Sequence, residues 1–206
     1  MVVLIPTASV AAALSTLSAR VAQDDPVLWY LTRTTAVAAY VALTLSVILG
    51  MLRAIARTSG ERLSWVVDEL HSFIASLAGG LIAGHLLSLK FDTFIPFTWN
   101  NLLIPGDQPY LPLATNLGVL AFYTMTVVLV SSWFRSLIPY RFWRLLHVFS
   151  FVAFGLVTAH GLLAGSDASE PWQRALYGMA VGAVGFLTLL RLLGGKKKKV
   201  AVAEEA

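Results

Sequence analysis

Five apolar runs, each long enough to cross a bilayer, constrain this chain more than any other feature. A helix needs about 20 apolar residues to span the hydrocarbon core. The sequence supplies runs of that length at 27–52, 66–89, 113–134, 142–163 and 172–193. They show no regular apolar/polar alternation, which argues against a β-barrel. The sequence therefore predicts an all-α, polytopic membrane helical bundle with five transmembrane helices.

The N-terminal segment, residues 1–26, leaves the number of spans open. Its apolar part, residues 1–22, is rich in Ala, Ser and Thr and has no preceding basic region, which disfavours a signal peptide. A sixth spanning helix and an interfacial helix remain, and we favour the sixth helix. The predicted division is thus an N-terminal segment (1–26), a membrane domain (27–193) and a basic tail (194–206).

The distribution of basic residues predicts the orientation in the membrane. Cytoplasmic loops of membrane proteins carry an excess of Lys and Arg. Here one side of the predicted bundle carries 11 of the 15 basic residues: Arg53, Arg57, Arg62, Arg135, Arg141, Arg144, Arg191 and Lys196 to Lys199. We therefore expect an integral protein of the bacterial inner (plasma) membrane, with a cytoplasmic C-terminus and a proline-rich loop, residues 91–112, on the outside.

Composition excludes several classes of redox and binding protein. The chain has no cysteine, so disulfides, thiolate-held iron–sulfur clusters and covalently attached haem are excluded. No glycine-rich nucleotide fingerprint follows a predicted strand, so no nicotinamide-binding domain is expected. The basic pI of about 9.6 comes largely from the membrane flanks and the tail, and it does not indicate nucleic-acid binding.

The four histidines form the strongest functional signal. His71 and His85 lie on the second span, and His147 and His160 lie on the fourth. The predicted topology makes these two spans parallel, so His71 matches His147 near the cytoplasmic end and His85 matches His160 near the outer end. The 14 residues from His71 to His85 correspond to about 21 Å along a helix. That separation fits two macrocycles, one in each leaflet.

Paired neutral imidazoles are good axial ligands for a low-spin haem b, a site that favours electron transfer over oxygen binding. The alternative of four isolated buried histidines is disfavoured, since polar groups inside a membrane are costly. Zinc or copper sites would need further ligands, which the outer pair lacks. The 13-residue spacing of His147 and His160 leaves these two side chains about 140° apart on an ideal helix. Overwinding, tilt or different haem azimuths would each reconcile this.

Longer motifs carry a resemblance to a known family. They are WYLTRTTAVAAY (29–40), HSFIASLAGGLIAGH (71–85), WRLLHVFSFVAFGLVTAHGLLAGSD (143–167), the outer aromatic and proline-rich loop, and the histidine spacings of 14 and 13. With these features the chain resembles the ferric reductase-like transmembrane domain family. This family includes the membrane parts of NADPH oxidases and ferric reductases and the haem subunit of the bacterial methionine-sulfoxide reductase system. The resemblance covers about residues 28–193.

The resemblance implies two b-type haems with bis-histidine ligation. His71 and His147 would ligate the inner haem, and His85 and His160 the outer one. Arg33 and Arg174 would meet outer propionates, and Arg141 or Arg144 inner ones. The flavin and nicotinamide domains of the full-length reductases have no counterpart here. The electron donor would thus be a separate flavoprotein, a quinol or another subunit.

The expected function is diheme electron transfer from a cytoplasmic donor to an outer acceptor, as the electron-transfer component of an oxidoreductase. The acceptor would be ferric iron, oxygen or a partner reductase, and lipid surrounds the bundle. Two alternatives from other classes stay open. One is a haem- or pigment-binding scaffold subunit of a larger membrane complex. The other is a cofactor-free transporter in which the histidines relay protons.

Overall fold

The structure, a computed structural model, is built from helices throughout the residues that it describes, 27–59 and 65–204. Side chains are described for residues 27–56 and 65–193. The helices are α1 (Val27–Ser59), α2 (Trp65–Phe91), α3 (Trp99–Leu103), α4 (Pro112–Trp133), α5 (Tyr140–Ala164) and α6 (Pro171–Glu204), with a 3₁₀ turn at Arg135–Leu137. No strand occurs in these two ranges. The predicted all-α helical bundle is confirmed.

Five of these helices, all except α3, are long and apolar enough to cross a membrane. They coincide with the five runs predicted from the sequence, as an integral membrane protein requires. The N-terminal segment, where a sixth helix was expected, lies outside the described residues. So do the side chains of Arg57, Arg62 and Lys196 to Lys199.

Local sequence explains where the helices begin and end. Pro112 and Pro171 are the first residues of α4 and α6, where the missing proline N–H costs nothing and the fixed φ suits a helix. At α3 the Thr98 hydroxyl accepts from the Asn101 N–H, and the Asn101 side chain accepts from the Thr98 N–H. Helix α1 continues past the predicted end at residue 52, because residues 53–59 contain neither proline nor glycine.

The bundle consists of two helical hairpins and a sixth helix. Helix α1 packs closely against α2, and α4 packs closely against α5, whereas the contacts between the two hairpins are far sparser. Helix α6 packs on α1. Helix α1 also contacts α5. The core lies around α1, where Tyr40, Leu43 and Met51 are each only 2% exposed. The histidines lie on α2 and α5, one helix of each hairpin.

The loop between α2 and α4 is folded rather than extended. Phe97 and Leu102 are buried, and the Tyr123 hydroxyl of α4 donates to the Leu103 carbonyl at 2.7 Å. The Asn116 side chain exchanges hydrogen bonds with the backbone of Gly106, at 3.0 and 2.9 Å. These contacts fasten the loop to the N-terminal part of α4, next to the outer histidine of the second hairpin.

Candidate paired-histidine sites

The inner pair consists of His71 on α2 and His147 on α5. Their ring centroids lie 6.1 Å apart, with ring planes at 69°. The two rings come from different hairpins and meet in a T-shaped, edge-on arrangement. The structure thus brings together the two residues that the sequence matched by depth, while their role as metal ligands stays a prediction.

The outer pair consists of His85 on α2 and His160 on α5. These two rings lie near each other and, like the inner pair, come from different hairpins. All four histidine rings are half-buried. Both helices are continuous α-helix between their histidines, so no change of helix type absorbs the angular mismatch on α5.

Each ring is held through Nδ1 by the neighbouring helix of its own hairpin. His71 Nδ1 lies 2.9 Å from the Ser46 carbonyl oxygen, and His85 Nδ1 lies 3.0 Å from that of Thr32, both on α1. His160 Nδ1 lies 2.8 Å from the Ala114 carbonyl oxygen on α4. A carbonyl oxygen can only accept. These three rings therefore carry their proton on Nδ1 and present the lone pair of Nε2.

His147 is the exception among the four. Its Nδ1 lies 3.4 Å from the Ser132 hydroxyl of α4, which donates its own proton to the Val128 carbonyl at 2.7 Å. The indole of Trp143 stacks on its ring, with centroids 4.9 Å apart and planes at 28°. The Arg135 guanidinium lies 5.3 Å from the centroid of the same indole. The ring of His147 thus depends on stacking where the others depend on a backbone carbonyl.

Two glycines on the neighbouring helices make room for the rings. A Cβ at Gly50 on α1 would lie 3.2 Å from Cε1 of His71, and a Cβ at Gly118 on α4 would lie 2.8 Å from two atoms of the His160 ring. Each glycine lies four residues after the carbonyl that holds the same ring, Ser46 and Ala114 respectively. A carbonyl and the glycine one turn later therefore form a cradle for an imidazole.

Sequence reasoning missed both cradle glycines. Five other glycines lie near the histidines on their own spans, at positions 79, 80, 84, 155 and 161. Three of these face neighbouring side chains, those of Leu129, Thr35 and Tyr177, whereas Gly80 and Gly155 have open space around them. The sequence does contain a signal for the cradles, namely a glycine on the span that precedes each span with histidines. This signal can be used only when it is known that each of these preceding helices packs against the histidine helix.

The arginines predicted to contact propionates have other neighbours in the structure. Arg33 forms an ion pair with Asp167, in the connection between α5 and α6, and lies 3.9 Å from the ring centroid of Trp29. Arg144 donates to the Tyr140 hydroxyl at 3.1 Å. Arg174 donates to the Ala168 carbonyl at 3.3 Å, and Arg141 is exposed. Their propionate roles remain predictions.

A further arginine near the inner pair was not predicted as a site residue. Arg53 makes two contacts with the Asp68 carboxylate, at 2.5 and 2.7 Å, and joins α1 to α2 at their inner ends. It lies within electrostatic range of both His71 and His147, and Arg144 is within range of His147. Near the inner pair, Arg53 is thus paired with Asp68, while Arg144 lies close to His147.

Within residues 27–59 and 65–204, no three His, Asp or Glu side chains come together as a metal-binding group. The histidines are arranged as two pairs. No family model matches the sequence, and no curated protein or solved structure is significantly similar to it. What the site can do is therefore argued from its own geometry.

Proposed function

We propose that this chain is a transmembrane electron carrier that holds two b-type haems, one between His71 and His147 and one between His85 and His160. The observation that carries the proposal is the inner pair, with its rings opposed at 6.1 Å. A metal–imidazole bond is about 2 Å long. His71 and His147, with their rings 6.1 Å apart, would therefore be near enough to hold one metal ion between them.

The donor set suits this group. A haem supplies four nitrogens of its own and needs only two axial ligands from the protein. Hydrogen bonds from the described residues reach the rings through Nδ1, which leaves Nε2 for the metal. A ligating histidine usually donates its other N–H to a carbonyl or carboxylate, which fixes the ring and raises its basicity. Three of the four rings have this arrangement.

The protein's own contribution is to orient, space and insulate the two pairs. The cradles at Gly50 and Gly118 let the rings of His71 and His160 lie against a helix backbone. The buried core around Tyr40, Leu43 and Phe154 separates the inner level from the outer one. When bound, bis-histidine haem supplies one-electron redox chemistry with little change at the iron. Two pairs at different levels along α2 and α5 thus favour electron transfer across the bilayer.

The proposal includes a direction and partners. We place the C-terminus in the cytoplasm of a bacterial inner membrane, because most basic residues share that side. The inner pair then receives electrons from a flavoprotein, a quinol or another subunit, and the outer pair delivers them to an outer-side acceptor. Three arginines at the inner end of the bundle form a cationic surface for an electron donor: Arg135, Arg141 and Arg144.

Absorption spectra and redox titration of the purified protein test the function. Two haems per chain and two reversible b-type transitions are expected. The variants His85→Ala and His71→Ala should each lose one low-spin component and keep the other. Absence of a Soret band in the native protein would overturn the proposal and favour the cofactor-free alternative.

Orientation can be tested separately, because the chain contains no cysteine. A single cysteine at Lys197 should be protected from an impermeant maleimide added outside intact cells, whereas one at Ser166 should be labelled. The opposite pattern would reverse the proposed direction of electron flow.

A further inference from the structure

The first turn of α5 places an unusual group beside the inner pair. The Nε1 atom of Trp143 is fully buried and has no hydrogen-bond partner among the described residues. Leaving a buried N–H without an acceptor costs about 1–3 kcal/mol. Such groups are rare in folded proteins and call for an explanation.

The charges around this indole indicate what kind of acceptor it would meet. Arg135 lies over its ring. Arg53 and Arg144 act on the adjacent His147. Asp68, the carboxylate within range of His71, is already bound by Arg53. A hydrogen-bond donor in cationic surroundings favours an anionic acceptor, and a charge-assisted bond is about twice as strong as a neutral one.

The indole is also the main contact that orients His147. The Ser132 hydroxyl lies at 3.4 Å from Nδ1, near the limit for a hydrogen bond. The Trp143 ring, one turn before His147 on α5, stacks on the imidazole. One side chain therefore touches the ring of the pair and presents an unpaired N–H next to it.

We propose that Trp143 is a positioning residue of the inner site. Its ring fixes the rotation of His147, and its N–H donates to a carboxylate of the group bound between His71 and His147. This inference rests on the proposed function and adds a residue that the histidine and arginine pattern does not include. The acceptor is a carboxylate at the edge of the bound macrocycle, and Trp143 itself is not a metal ligand.

Two substitutions separate the two roles. Trp143→Phe keeps a ring for stacking and removes the N–H, whereas Trp143→Leu removes both. The matched control is Trp133→Phe at the end of α4, because the Trp133 N–H already has an acceptor, the Ser76 hydroxyl at 3.4 Å. All three variants are measured in the haem-loaded full chain by electron paramagnetic resonance and by redox titration.

Trp143→Phe should keep two haems and the inner low-spin signal, while the inner transition shifts to lower potential. The shift follows because a carboxylate that loses its hydrogen bond keeps more negative charge near the iron, which stabilises the oxidised form. Trp143→Leu should show the same shift and also an altered inner low-spin signal, since His147 is then free to rotate. The outer transition, and both transitions of Trp133→Phe, should be unchanged.

An unchanged inner potential in Trp143→Phe would overturn the carboxylate contact. An unchanged inner low-spin signal in Trp143→Leu would overturn the role in fixing His147, and loss of the inner haem from Trp143→Phe would show that the residue is merely structural. Failure of the proposed function is distinguishable from these results, because the native protein would then show no low-spin haem at all.

Discussion

The inner and outer pairs use the same residue type but are held differently. Both outer rings donate to backbone carbonyls, of Thr32 and Ala114. The inner pair has one such contact, to Ser46, and depends on the Ser132 hydroxyl and the Trp143 ring for His147. A carbonyl cannot be removed by a side-chain substitution, so the outer geometry is fixed by the fold. The inner geometry is fixed by side chains and is open to adjustment.

The two pairs also differ in the charged residues that lie near them. At the inner end, Arg53 and Arg144 act on the histidines. At the outer end, Arg33 is paired with Asp167, and both side chains are largely shielded, with 28% and 18% of their surface exposed. Positive charge near an iron favours its reduced form. The comparison predicts that side-chain substitutions change the redox potential of the inner site more than that of the outer site.

The largest effect is expected from filling the cradles. In Gly118→Ala the new Cβ would lie 2.8 Å from the ring of His160, so the ring must leave the Ala114 carbonyl, and most of the outer low-spin haem should be lost. Gly50→Ala creates a milder contact of 3.2 Å with His71 and should lower inner haem content only partly. Overpacking of this kind costs about 1–3 kcal/mol. Haem stoichiometry and low-spin signals provide the measurement.

Gly178→Ala is the matched control, because nothing lies within 4 Å of a Cβ there. It should bind both haems normally. Equal losses in Gly118→Ala and Gly50→Ala would show that the two cradles are not different in tightness, and normal haem content in both would disprove the cradle interpretation.

A smaller effect is expected from removing the Ser132 hydroxyl, which lies at the ring of His147. Ser132→Ala takes away the contact to Nδ1 and should weaken haem binding at the inner site by about tenfold, the lower end of the range for such supporting groups. Ser131→Ala is the control, because both hydroxyls donate to the Val128 carbonyl but only that of Ser132 also lies at the ring of His147. Titration of the haem-free protein measures the affinity. An equal loss at the outer site would contradict the proposed difference.

The smallest effects are expected at the ion pairs. Asp167→Asn leaves Arg33 without its carboxylate in a shielded place and should lower the free energy of unfolding by about 1–2 kcal/mol. Asp68→Asn should cost less than about 1 kcal/mol, since the Asp68 side chain is 42% exposed and solvent screens the pair. Thermal unfolding of the two variants in the same detergent compares them. A larger effect of Asp68→Asn would reverse the ranking.

The sequence predicted the spans and the matching of the inner histidines because both follow from length along the helix. Hydrophobic thickness and 1.5 Å per residue place His71 at the level of His147 without further information. What sequence reasoning missed depends on rotation about the helix axis and on which helices are neighbours. Gly50, Gly118 and Ser132 lie on helices without histidines, so their relation to a ring appears only after the hairpins are packed.

Arg33 shows the same limit for charge. Its position inside a span predicts a partner, since an unpaired charge in a membrane is costly. The sequence suggested an anionic cofactor group. The structure supplies Asp167, which is 134 residues away along the chain. Local sequence predicts the need for a partner, and only tertiary structure identifies it.

The anchoring of each ring within its own hairpin has a consequence for biosynthesis. The first hairpin contains His71, His85 and both of their carbonyl acceptors, so it can enter the membrane with its rings already oriented. The second hairpin brings its own acceptors for His147 and His160. Under the proposed function, a haem bound between the hairpins would join two halves whose rings are already oriented by their own helices.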